Sequence, residues 1–262
     1  MDLYLILDLY MLTPGLTLET HLTVIVAGHV DFDTSENIAE MLLSVQTLIE
    51  GALGETGCKA YSWTEDHLTP GRVWVYEEWE SSDTLDTHLN TDWYRNMLAS
   101  LGSHQMLPPS EPIYKYRVAH QEPVYDDTPK ARGHFFTADE PVKADMPVIV
   151  AGTIQFANAA QVPEILTSAR PHIDGALTET GCIAYSWTQC HLNPGRVQVY
   201  EEWTSSETLE AHLNSHFYRD MGAHLASFER IQTDSTIMKY RIDLQQPVYD
   251  ETGVAKGHFI EP

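Results

Sequence analysis

The chain repeats itself. Val24-Ile25-Val26-Ala27-Gly28 returns as Val148-Ile149-Val150-Ala151-Gly152, 124 residues later. The same offset carries Gly57-Cys58 to Gly181-Cys182, Tyr61-Ser62-Trp63 to Tyr185-Ser186-Trp187, and Val75 through Trp79 to Val199 through Trp203. It also carries His88-Leu89-Asn90 to His212-Leu213-Asn214, and Pro123 through Asp126 to Pro247 through Asp250. No gap is needed, and about half of the aligned positions are identical. This period exceeds the roughly 20–50 residues of solenoid and propeller repeats. It therefore describes two whole small domains produced by duplication. The expected division is an N-terminal extension (1–21), a first domain with its tail (22–135), a linker (136–145) and a second domain with its tail (146–262).

One copy reads as a simple succession of elements. Residues 22–32 are β-rich, with Val24, Val26, Val30 and Phe32 on one face at period two. Residues 34–53 change period: Ile38, Met41, Leu42, Val45, Ile49, Ala52 and Leu53 form the stripe of an amphipathic helix. Asp33 and Glu36 resemble a capping box ahead of it. In the second copy Pro171 falls inside the equivalent helix, where a proline is expected to kink it. Residues 58–65 and 72–80 read as a hairpin around Pro70-Gly71. Ser81 or Ser82 can cap a second helix with Leu85, Leu89, Trp93, Met97 and Leu101 as its stripe. A strand over about 112–118 closes the unit.

The order β-α-β-β-α-β is a ferredoxin-like α+β arrangement. Its helices cover one face of an antiparallel sheet and leave the other bare, and that face must be buried. Two such sheets packed face to face solve the problem. The fusion supplies both, so the chain is expected to form an intramolecular pseudo-dimer, with further association into homo-oligomers left open. A patterned tail follows each copy (Gln121–Phe135, Gln245–Phe259), and its aromatic residues are expected to lie along the domain pair.

Charge bounds the partners. Asp plus Glu number 38 against 15 for Lys plus Arg, a formal net charge of -23. Such a surface disfavours nucleic acid and anionic membranes, which both need clustered cations. Three cysteines (Cys58, Cys182, Cys190), without CxxC spacing, argue against a disulfide framework and a thiolate metal site. Residues 1–12 are apolar but carry Asp2 and Asp8 and no basic segment, so they read as a poor signal peptide. The expectation is a cytoplasmic protein.

The stretch from Gly57 to Tyr94 reads GCxxYxW, then PGRVxVYEEWxSxxTLxxHLN, then Tyr-Arg. It resembles the antibiotic biosynthesis monooxygenase (ABM) family of dimeric α+β barrels, and both copies share the likeness. The resemblance implies a pocket between sheet and helices. In that family, such pockets serve cofactor-free oxygenases of quinols and anthrones, haem-degrading enzymes, isomerases and binders of small signals. The family's haem ligand would stand late in the second helix, where this chain has Leu98 or Ala99 and Gly222 or Ala223. Strand one has Gly28 and Gly152 where an asparagine would be needed. Neither haem nor, in the absence of a GxGxxG segment, a nucleotide-bound flavin is expected, and no cofactor is assigned.

Candidate side chains follow. Trp79 and Trp203 end the third strand and either line the pocket or serve as core tryptophans whose N–H has found an acceptor. His88 and His212 sit on the second helix as candidate general bases, or as buried histidines bonded to Glu77 and Glu201. Glu77 and Glu78 must face opposite sides of their strand. Tyr61, Tyr185, Trp63, Trp187, Glu77 and Glu201 complete the candidate substrate-binding set. His212 and His216 have i, i+4 spacing but no evident third ligand, so no metal is assigned. Arg72, Arg95, Arg196 and Arg219 are more consistent with ion pairing than with anion binding. The resulting expectation is a cofactor-independent monooxygenase acting with O₂ on a small aromatic. A non-catalytic binder or stress protein of the same fold, and an isomerase or decarboxylase, stand as alternatives.

Overall fold

A computed structural model describes residues 22–33, 36–125, 130–136, 145–233 and 236–261. The N-terminal extension and most of the linker lie outside these. Each copy folds as expected, with every helix split in two. The first copy runs β1 (Val24–Asp31), α1 (Ile38–Ser44), α2 (Gln46–Leu53), β2 (Cys58–Glu65), β3 (Arg72–Trp79), α3 (Ser82–His88), α4 (Asp92–Gly102) and β4 (Tyr114–Pro123). The second runs β5 (Val148–Phe156), α5 (Val162–Ser168), α6 (Arg170–Leu177), β6 (Cys182–Gln189), β7 (Arg196–Trp203), α7 (Ser206–Leu213), α8 (His216–Ala226), a short β8 (Arg230–Ile231) and β9 (Met238–Pro247).

The strands close into an antiparallel barrel in the order β7-β6-β2-β3-β1-β4-β9-β5, with β5 returning to β7 and β8 appended to β5. Two seams join the copies. One is long: β4 pairs with β9 from Tyr114↔Pro247 to Pro123↔Met238. The other is a single pair, Glu65↔Gln189, between β2 and β6. The long seam explains why β4 extends past the strand expected over 112–118: partner β9 supplies backbone partners that a single copy lacks.

Alternation along the strands divides the interior. The barrel lumen holds Ile25, Tyr76, Tyr116, Ile149, Tyr200 and Tyr240. Glu78 accepts there from Tyr240 at 2.9 Å, and Glu202 accepts from Tyr116 at 3.0 Å and Tyr200 at 3.1 Å. The opposite faces carry Val26, Tyr61, Trp63, Val75 and Trp79 in one copy and their equivalents in the other, under the helices. Glu77 and Glu78 thus point to opposite sides, as alternation requires.

Several local expectations need correction. The helix expected over 34–53 breaks at Val45, and α1 starts at Ile38 after a left-handed Asn37 (φ 69°), with no side-chain cap from Asp33. Pro171 does not kink a continuous helix. The break falls at Ala169, and Pro171 occupies the first turn of α6, where its missing N–H costs nothing. Since the first copy breaks without a proline, the break belongs to the fold. The second helix also breaks, at residues 89–91, because Thr91 caps a fresh helix by accepting from Tyr94 N–H. That shifts the stripe, and Trp93, expected inside, is 42% exposed and lies over Gly51. Among the described residues no helix is long and apolar enough to cross a membrane.

The tails are exchanged. Val248, Tyr249, Ala255 and Phe259 from the second copy pack on the first copy's core, and Val124, Ala131 and Phe135 pack on the second copy's. Buried Lys115 donates to the carbonyls of Lys256 and His258, and Lys239 to those of Arg132 and His134. Gly257 and Gly133 let the tails touch the backbone at Asp86 and Glu210, where a Cβ would stand only 2.3 Å from a backbone nitrogen.

Candidate functional site

Ser81 starts α3 with a capping box, its hydroxyl accepting from Thr84 N–H and Thr84 Oγ1 accepting from Ser81 N–H. One short helix later His88 points into the space between helix and sheet, fully buried. Trp79, at the end of β3, stacks on it with ring centroids 4.5 Å apart. Tyr61 and Tyr94 approach edge-on at 5.3 Å and 5.6 Å. The second copy reproduces the set: Trp203 at 4.6 Å, Tyr185 at 5.2 Å and Tyr218 at 5.6 Å from His212.

The histidines do not bond to Glu77 and Glu201, as the sequence suggested. His88 Nδ1 lies 2.8 Å from Glu55 Oε2, and His212 Nδ1 lies 2.5 Å from Glu179 Oε2. Glu55 stands just ahead of Gly57, whose φ of +82° turns the chain from α2 into β2. A Cβ at Gly57 would sit 2.5 Å from Thr84 Cγ2, so glycine lets this turn approach α3. Glu77 and Glu201 instead accept the indole N–H of Trp79 and Trp203 at 2.9 Å and 3.0 Å. Burial raises both carboxyls above their ordinary value, partly offset by the neighbouring histidine and the indole hydrogen bond.

A carboxylate can only accept, so the Nδ1 bond places the imidazole proton on Nδ1 and leaves Nε2 as the basic nitrogen. Nε2 of His88 and of His212 is buried and has no hydrogen-bond partner among the described residues. Such orphaned atoms are rare and call for an explanation.

The cavity enclosed between helix, sheet and tail in the first copy is small. A cavity of about 30 Å³ is lined by Tyr61, Trp63, Glu77, Tyr94 and Leu98, with Val248 and Tyr249 of the second copy's tail as one wall. That volume holds a water or two, whereas small-molecule pockets run to roughly 300–1,000 Å³. Tyr94 Oη donates to Tyr249 Oη at 2.9 Å, and Tyr125 and Tyr218 make the matching contact. The tail thus forms one wall of this cavity and is hydrogen-bonded to the helix beside it. Leu98 on the cavity wall carries no metal-donor atom.

All ten candidate residues therefore assemble into two equivalent sets. Glu55, Glu179, Tyr94, Tyr218, Tyr125 and Tyr249 were missed, although each repeats at the same offset. His212 and His216 do not share a helix face, because the break at Asn214–Ser215 separates them. Arg72 pairs with Asp31 at 2.8 Å.

The family model described as antibiotic biosynthesis monooxygenase matches residues 25–100 and 147–224, each segment containing one histidine set. The chain belongs to this family. Among solved structures, this ABM protein resembles an aldoxime dehydratase (OxdRE) crystallised with butyraldoxime, at 11% identity and a TM-score of 0.52, covering 86% of this chain and 81% of that one. That likeness concerns the paired fold. A conserved protein from Methanosarcina mazei Go1 matches at 24% identity over 38% of this chain and 97% of that one, with a TM-score of 0.33. A curated relative, an uncharacterized protein of Synechocystis sp., is 28% identical over 92 residues, which is 35% of this ABM chain and 62% of that protein. The match thus spans about three fifths of that relative's length.

Proposed function

We propose that the protein is a cofactor-independent monooxygenase of a small, electron-rich aromatic substrate of the quinol or anthrone class. The observation that carries this reading is the unpartnered, buried Nε2 of His88 and His212, each imidazole being held from behind by a glutamate. That is the arrangement of an oriented general base. Release of the Tyr249–Tyr94 hydrogen bond, or of its equivalent Tyr125–Tyr218, uncovers Nε2 and enlarges the pocket. Nε2 then takes a proton from the substrate. The resulting carbanion bonds to O₂, the peroxide takes the proton back from Nε2, and the hydroperoxide loses water with the hydrogen left on the same carbon, so that one oxygen atom stays on the ring as a carbonyl. Aromatic walls from Trp79, Tyr61 and Trp63, and from Trp203, Tyr185 and Trp187, stack on the ring and exclude water.

The narrowness of the cavity favours a second reading, in which the barrel is a non-catalytic scaffold or a binder of small hydrophobic molecules. Oxygen uptake by chelator-treated protein over a panel of quinols and anthrones separates the two. Uptake that falls in His88→Ala or His212→Ala supports the oxygenase and identifies the working copy. No uptake, with panel compounds still raising the melting temperature, supports the binder.

A further inference from the structure

The narrow seam of the barrel carries a second chemical cluster, built where β2 and β6 end. Here β2 and β6 meet in the single pair Glu65↔Gln189, flanked by the hydroxyls of Thr64 and Thr188 at 2.8 Å. Two residues beyond each strand end stands a histidine, His67 in one copy and His191 in the other. The contacts cross the seam. His191 Nε2 lies 2.6 Å from Glu65 Oε2, and His67 Nε2 lies 2.6 Å from Gln189 Oε1. His67 Nδ1 is 3.9 Å from Glu65 Oε1. The three side chains are only 13–18% exposed, buried enough to be ordered yet open to solvent.

We propose that Glu65, His67 and His191 form a binding site for a divalent transition-metal cation of the zinc type, with Gln189 beside it. One donor atom from each of the three lies within 4.8 Å of the others. Tetrahedral zinc with bonds of about 2.0–2.1 Å needs its donors roughly 3.4 Å apart, so small side-chain rotations suffice. Two imidazoles with one carboxylate suit this borderline cation and leave a fourth position for water or for the Gln189 amide oxygen. The two copies differ at this seam, and the difference eases the metal-free state. A glutamate at both positions would set two carboxylates against each other across the seam. The exchange of Glu65 for Gln189 leaves one negative charge and one neutral oxygen donor.

The role follows from the place. The opposite seam is a long ladder, whereas this one is a single pair, so a shared cation joins the copies where backbone pairing is weakest. Binding to the folded state alone stabilises it in proportion to site occupancy.

The experiment uses the full chain without a histidine tag, stripped with chelator and titrated with Zn²⁺ by calorimetry and with Co²⁺ by visible absorption. The expected result is one ion per chain, a Co²⁺ spectrum of a four- or five-coordinate N,O site, and a rise in melting temperature with Zn²⁺. His191→Ala and Glu65→Ala should each weaken binding at least tenfold, while His216→Ala leaves it unchanged. Gln189→Glu should tighten it, which keeps the test decisive if a truncated variant folds poorly. Absence of stoichiometric binding at micromolar metal overturns the site, as does binding that survives in a folded His67→Ala/His191→Ala variant. Only hydrogen bonds would then join this seam.

Discussion

His88 and Glu55 form a buried pair across the gap between α3 and the turn that follows α2, with Nδ1 2.8 Å from Oε2. The pair ties α3 to that turn and sets the ring so that Nε2 faces away from Glu55.

Loss of either member should separate stability from catalysis. His88→Ala leaves Glu55 without its partner and opens a cavity, at an expected cost of about 2–4 kcal/mol in urea unfolding. Glu55→Gln keeps the volume, but its amide can donate to Nδ1 and drive the proton onto Nε2. Turnover in that copy should then drop at least about tenfold with little change in KM.

Glu77 and Glu201 give the stability a pH dependence of definite sign. Burial raises their folded values above the ordinary 4.5, so the native state binds more protons than the unfolded chain as pH rises from that value. Their contribution is full at low pH and declines as pH passes through the folded values. Glu77→Gln and Glu201→Gln keep an acceptor for the indole N–H and should reduce this decline, read as unfolding free energy against pH relative to the parent chain.

Lys115 anchors the exchanged tail, and burial lowers it from 10.5 to about 8. Between these values the unfolded chain binds more protons, so this group makes stability rise with pH. Lys115→Met should abolish the rise and loosen residues 248–261, read as faster amide exchange there. Tyr249→Ala should enlarge the cavity directly, increase binding of small aromatic rings and cost about 2–4 kcal/mol.

Gly57→Ala tests the turn. With φ at +82° and a Cβ crowding Thr84, it should destabilise by about 1–3 kcal/mol. The same change at Gly102, where a Cβ meets nothing within 4 Å, should be neutral or stabilising.

Legibility in the sequence followed the range of the interactions. The period-two and period-3.6 patterns around Val24–Phe32 and Ile38–Leu53 disclose strands and helices, and a bare sheet face in a duplicated chain implies the barrel. Alternation alone placed Glu77 and Glu78 on opposite faces. The helix breaks were hidden, because the stripe through Leu85 and Leu89 continues to Met97 even though Thr91 starts a new helix. The carboxylate behind each histidine was hidden for another reason. Glu55 is 33 residues from His88, and only the closed turn at Gly57 joins them. The tail exchange was the least legible, since the motif around Tyr125 and Tyr249 marks a packed segment without naming the copy it packs on.

The most direct test concerns the two buried imidazoles. Long-range ¹H–¹⁵N correlation spectra of histidine-labelled protein report which ring nitrogen carries the proton. The expected result is protonated Nδ1 and bare Nε2 for His88 and His212, with Nε2 alone shifting when a quinol is titrated in. A proton on Nε2, or resonances indifferent to every ring compound, would contradict the assignment of these nitrogens as the working base.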